Sequence, residues 1–236
     1  MSAIKLLPPL RAESILDAIG AKGIHDLEGK IRQISGFSQL SWSDTTATDE
    51  EKKVYHENIN SGCETLKIFV ERTKQFLSIS SRRVVRNQFE DASELVAALK
   101  NSIRTHGENT DLVWDLQTSH NSPFEVDSSI LKEILVEALD NAERYADSPV
   151  TVTVKVIEPL RLAIRLQDSG PGIETSQVAR LADPYQRGVT PQHSLGAGLG
   201  LPICRLLTER LGGTIGIKSQ RDSGFTLFLD VPIGKS

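Results

Sequence analysis

One stretch, residues 128–146, restricts the chain more than any other. Leu131, Ile134, Leu135, Ala138 and Ala142 recur at helical spacing and form an apolar stripe. Glu137, Asn141, Arg144 and Tyr145 stand at i, i+4, i+7 and i+8 and share a second face, roughly 100° around the helix from the first. A helix of this kind buries one side and offers a carboxylate, an amide, a guanidinium and a phenol beside it. Taken alone, the polar face is equally that of a solvated flank. Two glycine loops downstream narrow the choice. Asp168-Ser169-Gly170-Pro171-Gly172-Ile173 comes directly after the strand pattern Leu160–Gln167. Gly196-Ala197-Gly198-Leu199-Gly200-Leu201-Pro202 comes directly before the helical pattern Ile203–Leu211. Glycine loops let backbone N–H groups approach a phosphate, and a helix N-terminus behind such a loop favours anions.

The order and spacing of these segments resemble the Bergerat-type ATPase fold shared by sensor histidine kinases, DNA gyrase, Hsp90 and MutL. Glu137 to Tyr145 resembles the N box and Asp168 to Gly172 the G1 box. Pro184-Tyr185-Gln186-Arg187-Gly188 resembles the F box, and Gly196 to Gly200 the G2 box. The resemblance covers about residues 111–232.

The first eighty residues read as a helical hairpin. After an irregular leader ending at Pro8 and Pro9, helical periodicity runs from about Arg11 to Leu40, with Gly20, Gly23 and Gly29 arguing against a straight rod. Ile24, Leu27, Ile31 and Ile34 make a bundle seam. Ser41–Thr48 is a polar turn. Thr48-Asp49-Glu50-Glu51 is a capping box that opens a second helix reaching about Ser78. Ile59, Cys63, Leu66, Phe69, Val70, Thr73, Phe76 and Leu77 form its seam. Two such helices enclose no core alone. A second copy completing a four-helix bundle is the simple solution; packing on the rest of the same chain is the other.

His25 falls outside the seam, beside Asp26. An exposed histidine on a helix is ordinarily a surface residue. However, the run from His25 to Leu40 resembles the H box of histidine-kinase dimerisation domains, closest to the bacteriophytochrome-like versions that begin His-Asp-Leu. Two positions depart from that pattern. Lys30 stands where a helix-kinking Pro is usual. Gly29 stands where many members carry the Thr or Asn linked to dephosphorylation of the partner.

The remaining patterns complete an α/β unit. Val84–Gln88 reads as a short strand, then a helix capped at Asp91 with Glu94 at its third position. Leu112–Leu116, Val150–Ile157 and Leu160–Leu166 read as strands, the last two joined at Glu158-Pro159. A helix over Leu199–Leu211 stops at Gly212-Gly213, and Thr214–Lys218 and Gly224–Val231 close a hairpin. The expected architecture is a helical dimerisation hairpin over residues 1–82, forming a dimeric four-helix bundle. A two-layer α/β sandwich ATPase domain occupies residues 83–236.

Composition excludes several classes. The net charge is −4 and no basic run marks a nucleic-acid surface. No apolar run approaches the ~18–20 residues of a membrane span. Cys63 and Cys204 fit no metal spacing and read as buried thiols of a reducing compartment. A soluble, cytoplasmic protein is expected, fed by a signal from a separate sensor protein, from another part of a longer parent chain, or from a ligand.

The resemblance implies ATP and Mg²⁺ as cofactors and gives each residue a role. Asn141 supplies the metal-ligand oxygen, and Glu137 holds the metal through water or acts as a base. Asp168 accepts from the adenine amine, Tyr145 packs on the purine, and Arg144 balances phosphate charge. Gly170 and Gly172 admit the base and ribose; Gly196, Gly198, Leu199 and Gly200 wrap the phosphates. Residues 174–195 are the lid, with Arg187 as its anchor or a γ-phosphate contact. His25 accepts the phosphoryl group, Asp26 orients it, and an aspartate of a response-regulator receiver domain takes it on. A histidine phosphotransferase or pseudokinase scaffold, and an anti-sigma-type serine kinase, are the alternatives.

Overall fold

A computed structural model of the chain describes residues 4–103, 112–117, 122–145, 149–157, 160–186 and 197–235. The chain opens with β1 (Lys5–Leu6), α1 (Ala12–Ala18) and a π-helical turn at Ile19–Gly23 that runs straight into α2 (Ile24–Ser43). The helical reading of this region holds, and Gly20 and Gly23 lie where the regular winding gives way, whereas Gly29 sits inside regular α2. The region before Pro8 differs from the irregular leader expected of it. Lys5 and Leu6 pair antiparallel with Ile217 and Gly216, and Leu7 N–H donates to the Ile215 carbonyl at 3.0 Å. A two-residue strand carries too little alternation to be read from sequence.

α3 (Asp49–Ser78) antiparallels α2. Its capping box is formed: Glu51 N–H donates to Thr48 Oγ1 at 3.3 Å, and Thr48 N–H to Glu51 Oε2 at 2.8 Å. Gly62 lets the helices close, because a Cβ there would stand 2.6 Å from Ile34 Cγ1. α2 stays helical through Lys30, where a proline would have removed an N–H and bent it. Cys204 is buried as expected; Cys63 is exposed, on the face of α3 turned away from α2.

Beyond the hairpin come β2 (Asn87–Phe89), α4 (Ala92–Ile103), β3 (Leu112–Leu116), β4 (Phe124–Val126), α5 (Ser128–Tyr145), β5 (Val150–Ile157) and β6 (Arg161–Gln167). Next are α6 (Thr175–Leu181), α7 (Gly200–Arg210), β7 (Thr214–Ser219), β8 (Phe225–Pro232) and β9 (Gly234–Lys235). The main sheet has the order β1-β7-β8-β6-β5-β3, antiparallel except for the parallel pair β3–β5; β2, β4 and β9 make a small second sheet. β2 begins at Asn87, later than the Val84–Gln88 pattern suggests. Val85 N–H is instead held by Asp127 Oδ2 at 2.7 Å, outside the ladder. Asp91 caps α4 through Ser93 and Glu94 N–H, while the Glu94 carboxylate reaches back to Glu90 N–H. The Glu158-Pro159 connection lies outside the described residues.

Alternation gives the sheet its two faces. Val150, Val152, Val154 and Val156 of β5, Leu162, Ile164 and Leu166 of β6, and Leu227, Leu229 and Val231 of β8 all point into the core. Against them lie Ile130, Leu131, Ile134 and Leu135 of α5, Leu95 and Leu99 of α4, and Ile203 and Leu207 of α7. Burying each of these side chains favours folding by about 1.5–3 kcal/mol. The result is the expected two-layer sandwich behind a helical hairpin. Phe76 and Ile79, at the end of α3 and just past it, are buried in the same core. The hairpin therefore packs on the body of its own chain at this end.

Candidate functional site

α5 supplies the polar row. Asp127 starts the helix: its Oδ1 accepts from Ile130 N–H at 3.0 Å and from the Ser129 hydroxyl at 2.6 Å. Burial works against this carboxylate most strongly, yet the bonds from Ser129, Val85 and Ile130, with Arg82 nearby, hold its pKa below the ordinary value. Successive turns then place Glu133, Glu137 and Asn141 along one side. Glu137 is only 4% exposed, deeper than a flanking position suggests. Asn141 is half-buried with its amide unbonded among the described residues. Arg144 and Tyr145 are exposed at the last turn.

Glu137 is covered by Arg72 of α3, a residue that no sequence pattern singles out. Its two terminal nitrogens donate to the two carboxylate oxygens, one each, in the fork geometry that favours such pairs. Gln75 adds bonds to Glu133 at 3.0 Å and Glu137 at 3.3 Å, and Arg82 pairs with Glu133. Burial opposes the Arg72 charge most strongly; the bond and charge of Glu137 outweigh it and raise the Arg72 pKa further.

The two glycine loops lie at the end of β6 and before α7. Asp168 Oδ1 accepts from Gly170 N–H at 2.9 Å and Phe225 N–H at 3.2 Å, which fixes the carboxylate and leaves Oδ2 unbonded among the described residues. Burial pushes its pKa up against these bonds. Gly172 has φ +63°, and a Cβ there would strike the Gln220 carbonyl at 2.1 Å. Gly198 (φ +69°) is also tight, with the Gln186 carbonyl at 2.7 Å from such a Cβ. Leu199 is buried and offers no side-chain cap to α7. A Cβ on Gly200, the first residue of α7, would stand 3.6 Å from Glu137 Oε2 and 4.0 Å from an Arg72 terminal nitrogen. The start of α7 and the polar face of α5 thus meet at one place. Arg187 and Gly196 lie outside the described residues, as do residues 187–195 of the expected lid.

Tyr185 links this body to the hairpin. It is fully buried at φ +61°. Its N–H donates to the Gly198 carbonyl at 3.0 Å, and its ring stacks on Phe69 of α3 with centroids 5.5 Å apart. Its hydroxyl lies 3.3 Å from Thr73 Oγ1, and its edge lies over Gly23, where a Cβ would approach to 3.1 Å. Lys22 donates to Gln186 Oε1 at 2.7 Å.

His25 stands two residues after Gly23, in the first turn of α2. Its side chain is 74% exposed and its Nδ1 lies 3.7 Å from Asp26 Oδ1. A groove of about 210 Å³ opens beside it between α2 and α3, with Asp26, Lys30, Gln33, Thr65 and Phe69 in its wall. Among the described residues His25 makes no polar contact with Glu137, Asn141 or Asp168. None of the described helices is long and apolar enough to cross a membrane.

Residues 126–235 match the family of histidine kinase-, DNA gyrase B- and HSP90-like ATPases. The aerobic respiration control sensor protein ArcB of Escherichia coli K12 is 28% identical over 218 residues, covering 88% of this chain and 28% of ArcB. The chain therefore spans little more than a quarter of that relative's length. Among solved structures, histidine kinase ThkA in complex with the response regulator TrrA superposes with TM-score 0.67 at 21% identity. That match covers 93% of this chain and 62% of ThkA. Full-length ShkA in complex with AMPPNP superposes with TM-score 0.61 at 19% identity, over 90% of this chain and 46% of ShkA. Residues 126–235 are thus similar to this ATPase family, and the body behind a histidine-bearing hairpin shares the fold of the solved histidine kinases.

Proposed function

We propose that this chain is an ATP-dependent protein-histidine kinase core of a two-component system, divided near residue 82 into a phosphoacceptor hairpin and a catalytic body. The observation that carries the reading is the exposed His25–Asp26 pair on the same chain as an ATPase body whose Tyr185 is seated two residues from that histidine. In this reading ATP enters between α5 and the glycine loops. Asp168 Oδ2, unbonded among the described residues, accepts from the adenine amine. Gly170 and Gly172 line the base and ribose, Tyr145 packs on the purine and Arg144 balances phosphate charge. Gly196, Gly198, Leu199 and Gly200 carry the phosphates, with Arg187 reaching them from the lid.

Mg²⁺ fits the donor set. It takes few protein oxygens and keeps several waters, and the Asn141 amide oxygen, unbonded among the described residues, is a suitable ligand, with Glu137 one turn away. The ion supplies charge neutralisation at the phosphates. On the protein side, the Asp26 carboxylate lies 3.7 Å from His25 Nδ1, where its charge favours a proton on that nitrogen and leaves Nε2 with the lone pair. Nε2 attacks the γ-phosphorus in line, the bond from phosphorus to the β–γ bridging oxygen breaks, and ADP leaves. The positive charge on the ring is offset by Asp26, which can take the Nδ1 proton. The phosphoryl group then passes to an aspartate of a response-regulator receiver, the kind of partner seen with ThkA. Exposed Ile24, Ile31, Val54, Val70 and Leu77 on the hairpin favour a homodimer through a four-helix bundle. The input comes from a separate sensor or from further segments of a longer parent.

The test is incubation with Mg²⁺ and γ-labelled ATP of the wild type, His25→Ala and Asn141→Ala. Acid-labile, base-stable label absent from both variants is the expected result. Label persisting in His25→Ala overturns the reading.

A further inference from the structure

Arg72 brings a guanidinium from the hairpin to the meeting point of α5 and α7, and a buried ion pair with Glu137 does not exhaust what that position offers. Leu199 leaves α7 without a side-chain cap, and Pro202, its third residue, has no N–H. The N–H groups of Gly200 and Leu201 have no partner among the described residues. Open N–H groups at the start of an eleven-residue helix favour an anion. Arg72 stands within 4.0 Å of where a Gly200 side chain would begin. Two independent donors of positive potential, one from the helix and one from the hairpin, therefore converge on one spot. Among the described residues the anion that Arg72 grips there is Glu137, held by Gln75 as well.

Resting on the kinase reading above, we infer that Arg72 is the residue that reads the terminal phosphate of the nucleotide, exchanging its fork on Glu137 for phosphate oxygens when a triphosphate binds. A carboxylate and a phosphate present the same paired oxygens to a guanidinium, so the exchange keeps the fork satisfied throughout. Gln75 keeps a bond to Glu137 during the exchange. A diphosphate, lacking the last group, leaves Arg72 on Glu137. Because Arg72 belongs to α3, the hairpin and not the ATPase body then distinguishes ATP from ADP. This makes Arg72 a specificity-determining residue for the nucleotide.

The experiment is equilibrium binding of AMPPNP and of ADP by calorimetry to the full chain: wild type, Arg72→Gln and Arg72→Lys. Thermal melts confirm that each variant is folded. A charge-assisted hydrogen bond is worth about 1.5–3 kcal/mol, which converts to roughly 10–150-fold in affinity. Arg72→Gln should lose at least about tenfold for AMPPNP while ADP moves by less than about twofold, and Arg72→Lys should recover part of the difference. Equal losses for both nucleotides would show that Arg72 only holds α3 on α5, and would overturn the inference, as would no loss for either. If Arg72→Gln does not fold, the lysine variant decides by the same ratio. Wild-type protein that binds neither nucleotide refutes the nucleotide site itself, and with it both readings. Wild type that binds both nucleotides, with a ratio insensitive to residue 72, refutes this inference alone.

Discussion

Tyr185 and Phe69, 116 positions apart, stack at 5.5 Å and 30° and so join the segment after α6 to the stretch of α3 opposite the first turn of α2. The tyrosine backbone is left-handed at φ +61°, a conformation that non-glycine residues adopt at a cost of about 1–3 kcal/mol. That cost is met by the seat that Phe69, Thr73 and Gly23 form around the ring.

Phe69→Ala should therefore free the hairpin from the body more than it unfolds either. An aromatic pair contributes about 0.5–1.5 kcal/mol beyond its buried area. Limited proteolysis should cut faster near residue 187, with the melting transition of the ATPase body little changed. Unchanged cleavage would refute this.

Gly62→Ala should separate the two long helices. Its Cβ would stand 2.6 Å from Ile34 Cγ1, and overpacking of this sort costs about 1–3 kcal/mol. A lowered melting temperature of the hairpin is expected, and in an Ile34→Ala background, which removes Cγ1, Gly62→Ala should cost little further.

Asp127 links stability to acid. Its pKa is lowered in the folded state, so its contribution is fully present above the unfolded carboxylate value and is lost as pH falls through the lower folded value. Asp127→Asn should shorten the acid limb of a stability-versus-pH curve and cost about 1 kcal/mol at neutral pH through the weakened cap. Urea titrations between neutral and acid pH check both.

Asp168 runs the other way. Burial raises its pKa, so this carboxylate, proposed above to accept from adenine, is protonated at a higher pH than an ordinary aspartate. Nucleotide affinity should fall as pH is lowered through that raised value. In Asp168→Asn, affinity should already be low and flat across the same window. A pH-independent wild type would count against the assigned role.

Much of the sandwich is legible in the sequence because half-buried strands print their two faces. Val150 to Ile157 alternates without a break, and the apolar stripe of α5 recurs along most of the helix. The box residues are legible as a set because glycine loops and a polar helix face stand in a fixed order. Arg72 is not. Its position on α3 is polar beside a seam, which describes any solvated arginine, and its partner lies 65 residues away. Tyr185 is marked by its loop, but nothing local says that its ring crosses to Phe69. β1 escapes for a different reason: two residues stabilised by ladder bonds to β7 carry no period. Cys63 is exposed although the neighbouring Gly62 is buried against Ile34, because one residue along a helix turns the side chain about 100° away from α2.

The short ladder between Lys5–Leu6 and β7 has a mechanical consequence. The backbone just beyond it is pinned as well: Arg205, buried in α7, donates to the Pro8 carbonyl, and Leu10 N–H donates to Glu209 Oε1 at 3.0 Å. At the far end, Phe76 and Ile79 anchor α3 in the same core. The hairpin is thus a handle with both roots set in one body, not an arm on a single tether. Turning α2 about its axis must load both roots at once, so torque applied near His25 reaches the β7 edge of the sheet and the α5–α7 cleft together.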